Sequence, residues 1–88
     1  MFAYVTTHFV NHSLGRLIDP KLKNREQLID TLEAYLGRGS VKEAAAVLNL
    51  HRHTVLYRLE KLRELLGDLD APPTRLRLQL ALDLRKLL

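Results

Sequence analysis

Apolar residues recur at helical spacing through residues 40–66, with one interruption. Val41–Leu48 contains three successive alanines, Ala44, Ala45 and Ala46, the strongest helix former among the residues. Ser40 with Glu43 three positions on fits a capping box, in which each side chain satisfies the other's free backbone N–H. Asn49-Leu50-His51 breaks the pattern. Asn tolerates the left-handed backbone that ends many helices, and Leu50 would fill the inside of the bend. From about Arg52 to Leu66 the pattern resumes: Val55, Leu59, Leu62 and Leu66 follow i, i+4, i+7, i+11 and form the expected buried stripe. A short helix, a tight turn and a longer helix make the outline of a helix-turn-helix. Helices that cross steeply through such a turn need a small residue at the crossing, and Ala45 is the candidate.

The flanking segments carry weaker patterns. Phe9, Val10, Leu14, Leu17 and Ile18 are spaced for a short amphipathic helix ended by Asp19-Pro20. Residues 1–24 therefore read as a linker or short helix from a preceding region, and residues 25–88 as the helix-turn-helix domain. Arg25 to Leu36 forms the next helix, with Leu28, Leu32, Tyr35 and Leu36 buried and Gly37-Arg38-Gly39 ending it. Gly67 to Pro73 reads as a loop, since two prolines cannot continue a helix. In the last segment Leu76, Leu78, Leu80, Leu82 and Leu84 alternate strictly, which is the signature of a strand. Against that, Leu, Arg, Gln, Ala and Lys are helix formers and Thr74 is a plausible N-cap. Helix is the reading adopted, so the fold is a small all-α domain with a helix-turn-helix and an additional C-terminal helix. On that helix Leu76, Leu80, Leu84 and Leu87 share one face, and Leu78 and Leu82 lie roughly opposite. Two apolar faces need two partners. Core packing is the first reading of these leucines and a dimer surface the second, with Leu78 and Leu82 as the pair to test for a subunit contact.

Composition and charge narrow the function. Eighty-eight residues, 47% hydrophobic and 6% aromatic, allow one domain whose modest core is mostly leucine. A pI near 9.8 favours an anionic partner. Ser40 to Arg63 holds five Lys or Arg against two Glu, most of the chain's net +4. Outside the apolar stripe of the longer helix stand Arg52, His53, Thr54, Tyr57, Arg58 and Lys61. Arg binds guanine bidentately, Thr reaches a base or phosphate, and Lys and Tyr suit phosphates. With His51, Ser40 and Lys42 these are the candidate DNA contacts. Tyr57 has an alternative as half-buried packing, since a ring with a polar tip suits a boundary position. The carboxylates Glu60 and Glu64 come later, where a recognition helix leaves the groove.

Other chemistries lack residues. There is no cysteine, hence no disulfide or thiolate metal site. His8 and His12 sit at i, i+4 without a third ligand nearby, and His51 and His53, two apart, should face different ways on a helix. No Gly-rich phosphate loop, paired carboxylates or nucleophile motif is present, so no enzyme and no cofactor is expected. Met1–Val10 lacks the basic start and long apolar run of a signal peptide, and nothing approaches the roughly 18 apolar residues of a membrane span. A competing reading is a helical protein-interaction module. Salt separates the two: phosphate contacts make affinity fall steeply with salt, and an apolar groove does not respond.

The segments LIDTLEAYL, SVKEAAAVLNLHRHTVLYRLEKLRELLG and TRLRLQLALDLRKLL together resemble the C-terminal DNA-binding domain of PucR/CdaR-type bacterial transcription regulators, the purine-catabolism and sugar-diacid activators. The motif residues are Arg52, Thr54, Val55, Tyr57, Arg58 and Leu59, then Leu66-Gly67. The likeness covers about two-thirds of the chain. The helix-turn-helix also resembles that of the nucleoid protein called factor for inversion stimulation. His51 and His53 stand where the family often has other polar residues, so the preferred DNA sequence does not carry over. The resemblance implies a C-terminal helix and a recognition helix over about 52–66. It implies double-stranded DNA as partner. Because a single helix-turn-helix touches only a few base pairs, a homodimer on paired half-sites is expected. The missing cysteine, signal peptide and membrane span fit a cytoplasmic, nucleoid-associated location with no membrane. The resemblance also implies an N-terminal sensor region ahead of this chain, joined through a stretch like FVNHSLGRLIDP and holding effector sensing.

Overall fold

Caps and punctuation residues set the ends of the helices, and the apolar stripes set how they pack. The computed structural model describes residues 2–88, with side chains from Tyr4 onward. α1 (Phe2–Leu14) runs into a 3₁₀ turn (Gly15–Ile18). There follow α2 (Arg25–Arg38), α3 (Val41–Leu48), α4 (Arg52–Leu66) and α5 (Pro72–Arg85). Among the described residues there is no strand, and the all-α expectation holds. α2 runs two residues past Leu36 and ends on Gly39 at φ 84°, whose N–H bonds the Tyr35 carbonyl at 2.8 Å. That backbone suits glycine.

Among the described residues one core joins the five helices. Leu32 of α2, Val55, Leu59 and Leu62 of α4, and Leu78 of α5 are fully buried in it. Residues ahead of α2 share it too, since Val10, Leu14 and Leu17 are buried and α1 packs along α5. α1 is thus longer than the patch of apolar residues in it suggests.

The C-terminal segment differs from the sequence reading in two ways. α5 starts at Pro72, with both prolines in its first turn, and not at Thr74. The first N–H groups of a helix have no intrahelical partner, so proline loses nothing there. Ala71, at ψ 126°, takes the extended form favoured before proline. The buried face is also the other one. Leu78, Ala81 and Leu82 are buried, whereas Leu76 is 71% and Leu80 48% exposed. The pair assigned to a subunit contact is therefore core. Both leucine sets have helical spacing, and the direction of packing against α1 and α2 chooses between them.

Polar residues fasten α5 and its preceding loop to α2. The Tyr35 hydroxyl donates to Asp70 Oδ1 at 2.6 Å. Arg63 Nη2 reaches Asp70 Oδ2 at 3.3 Å, and Arg75 lies over the Tyr35 ring at 5.8 Å while donating to the Leu36 carbonyl at 3.2 Å. The Tyr35 bond, then Arg63 and Arg75, hold the Asp70 carboxyl below the ordinary carboxylate value. The same bond and burial push the Tyr35 hydroxyl up. Farther along, Arg85 meets Glu26 at 3.1 Å and Lys86 meets Glu33 at 2.8 Å. α5 thus runs antiparallel to α2. Both pairs are exposed, and exposed ion pairs add little to stability, so these contacts set alignment more than stability.

Candidate nucleic-acid interface

The elbow between α3 and α4 is held by main-chain bonds. Ser40, extended at φ −148°, accepts the Glu43 N–H on its hydroxyl at 3.2 Å and starts α3. Asn49 ends α3 in the left-handed region at φ 56°, ψ 46°. Its N–H bonds Ala46, and the Leu50 N–H bonds the Ala45 carbonyl at 3.0 Å. Leu50 tucks against the core. His51 is extended, and its carbonyl accepts the N–H groups of Thr54 and Val55 at 3.0 and 3.2 Å, opening α4. Ala44 and Ala45 are both buried at the junction, where α3, α2 and α4 meet.

This geometry presents the candidate residues in distinct groups. His51, Arg52 and His53 are all exposed at the N-terminal tip of α4. The two imidazoles do not face different ways. Their rings stack 6.1 Å apart at 12°, because His51 is extended backbone outside the helix. Tyr57 is 71% exposed, which sets aside the half-buried alternative. Lys61 is exposed, 3.9 Å from Glu64. Lys42 is exposed on α3, while Ser40 is half-buried and its hydroxyl is occupied by the cap. On a helix of 3.6 residues per turn Arg52 and Thr54 point roughly 160° apart, so they stand on opposite flanks of α4. Arg58 is only partly exposed. Its Nη1 donates to Thr31 Oγ1 at 3.3 Å, and that buried hydroxyl donates in turn to the Gln27 carbonyl at 2.9 Å. Arg58 thus ties α4 to α2, a role that no local pattern signals because the partner lies 27 residues away.

Two features escaped the sequence reading. Leu56 is 39% exposed between the polar residues. A groove of about 440 Å³ opens beside Thr54, Tyr57, Arg58 and Lys61, its far wall built by Lys23, Asn24 and Gln27. Lys23 lies in a stretch without apolar periodicity, so only the fold brings it to α4. His8 and His12 stack 6.2 Å apart on α1. Among the described residues no group of three His, Cys, Asp or Glu comes together to hold a metal, and no helix is long and apolar enough to cross a membrane.

Residues 28–84, which span α2 through most of α5, match the family described as the PucR C-terminal helix-turn-helix domain. The chain belongs to this family. That makes it a regulator's DNA-binding helix-turn-helix domain, which is not an enzyme class. A curated relative, "Purine catabolism regulatory protein" of Bacillus subtilis (strain 168), is 43% identical over 82 residues, or 91% of this chain. The chain spans about 15% of that relative's length. No solved structure matches the chain at a significant level.

Proposed function

We propose that this chain is the sequence-specific DNA-reading domain of a bacterial transcription regulator, with α4 entering the major groove of double-stranded DNA. One observation carries the reading. The N-cap residue His51 and the N-terminal half of α4, with Arg52, His53 and Tyr57, are exposed to solvent, on a helix whose other face is locked into the core. Side chains with no packing role, ahead of a rigid elbow, are suited to base edges. Arg52 and His53 read bases, Thr54 and Tyr57 contact the flanks, and Lys61 and Lys42 neutralise phosphates. The Ser40 hydroxyl serves the cap, so its contact to DNA runs through the start of α3. The regulator acts in the cytoplasm on the nucleoid as a homodimer, and a sensor region preceding these residues holds the effector site. Because Leu78 and Leu82 are buried, the dimer contact uses other surfaces. The relative's name, a purine catabolism regulator, supports a regulatory role for the whole protein.

The test is binding-site selection from random duplexes, followed by fluorescence anisotropy. Arg52→Ala should weaken the selected duplex by about 1–3 kcal/mol while circular dichroism stays that of the wild type. Lys61→Ala should weaken all duplexes alike and flatten the salt dependence. Unchanged affinity in a folded Arg52→Ala would refute the assignment of α4. Binding to a protein partner that ignores salt, with no duplex selected, would favour the interaction-module reading.

A further inference from the structure

The groove beside α4 has cations on both walls. Lys23 stands on one, and Arg58 and Lys61 on the other. No carboxylate lines it, whereas the neighbouring grooves carry Asp30 and Glu33 or Glu60 and Glu64. Lys23 is exposed and forms no ion pair among the described residues. Arg58 is steadied by Thr31 at 3.3 Å through one nitrogen, leaving the rest of its fork for a second acceptor. Thr54 and Tyr57 add hydroxyl groups. Three cations and two hydroxyls around a concave space that no carboxylate lines, Lys61 being also 3.9 Å from Glu64 outside it, suit an anion rich in acceptor oxygens.

The position of the groove says which anion. Thr54, Tyr57, Arg58 and Lys61 follow i, i+3, i+4, i+7 and so form one flank of α4. A helix nearly fills the width of the major groove, and its flanks therefore face the phosphodiester backbones. We infer that Lys23, together with Arg58 and Lys61, grips a backbone phosphate of the bound duplex. The DNA-contacting surface then extends ahead of residues 28–84 to a segment outside the helix-turn-helix. This inference rests on the proposed function, and its test separates the two.

Wild type, Lys23→Gln and Lys23→Arg are titrated by anisotropy against the selected duplex and a scrambled one across a range of salt. Lys23→Gln should lower the slope of log affinity against log salt by about 0.9, the value for one phosphate contact. The loss should be equal on both duplexes, and Lys23→Arg should restore the slope. A scan of single neutral methylphosphonates should find one position where the loss is larger for wild type than for Lys23→Gln, which keeps only Arg58 and Lys61 on that phosphate. An unchanged slope, or additive effects at every position, would overturn the inference. Saturable binding of inorganic phosphate alone, with the DNA slope of Lys23→Gln unaltered, would mark a free-anion site and overturn it equally. If Arg52→Ala loses specific affinity while Lys23→Gln matches wild type, the clamp falls and the reading of α4 stands. If wild type binds no duplex at all, both fall.

Discussion

Replacing Thr31 with Val tests whether α4 is held in place by its tie to α2. The two side chains have nearly the same shape, so the change removes the hydroxyl and little else. That hydroxyl is fully buried, donates to the Gln27 carbonyl at 2.9 Å and accepts from Arg58 at 3.3 Å. A hydrogen bond to a charged group contributes about 1.5–3 kcal/mol. The 3.3 Å length and partial exposure of Arg58 place this one at the lower end, and the added methyl returns about 0.8 kcal/mol by burial. The expected net loss is about 0.5–1.5 kcal/mol, at roughly 4–8 °C in Tm per kcal/mol for a domain of this size. Urea denaturation of Thr31→Val, Arg58→Met and the double variant measures the coupling directly. A coupling of about 0.5 kcal/mol or more supports the tie. Additivity within about 0.3 kcal/mol would show that the two groups ignore each other in solution, and the account of how α4 is oriented would be wrong.

Three further outcomes follow from the packing and the charges. Leu78→Glu with Leu82→Glu should abolish the helical circular dichroism signal, whereas Leu76→Glu with Leu80→Glu should leave it intact. Ala45→Leu should cost about 1–3 kcal/mol through overpacking at the elbow and weaken DNA binding as α4 shifts; equal stability and affinity would count against the crossing. Asp70 is held below its ordinary value of 3.8, so its contribution is complete above that pH and drains as pH falls through the lower folded value. Tyr35 is raised from 10.0, so its contribution is complete below pH 10.0 and is lost as pH climbs past the folded value. Denaturant midpoints across pH should show Tyr35→Phe with a shallower acid limb and a weaker alkaline one; limbs identical to wild type would dismiss the bond.

Local chemistry made the centre of the chain legible. Ser40, Asn49 and the spacing of Val55, Leu59 and Leu62 act within a few residues of themselves, and they appear in the structure as α3, the turn and α4. Most of what the sequence leaves open is decided by a partner distant in the chain, though not all of it. Leu78–Leu82 and Leu76–Leu80 obey the same periodicity, and only the position of α1 and α2 makes one of them core. Pro72 and Pro73 break a helix in its interior but open one at its start, so the same dipeptide fits either reading. Arg58 looks like any basic residue of a recognition helix until Thr31 is brought beneath it. Lys23 has no pattern around it at all. His51 and His53 show the opposite case: the spacing was read correctly, but the helical rule does not apply to a residue outside the helix.

The turn at Asn49 and Leu50 is closed by backbone atoms and a leucine, and none of the tip residues His51, Arg52 and His53 supports it through a side chain that packs inward. The scaffold and the lettering it displays are therefore separable. On the reading of α4 proposed above, new residues at these three positions would alter which bases are preferred while the angle of presentation stays the same, so the domain could be retargeted, by drift or by design, at almost no cost to folding.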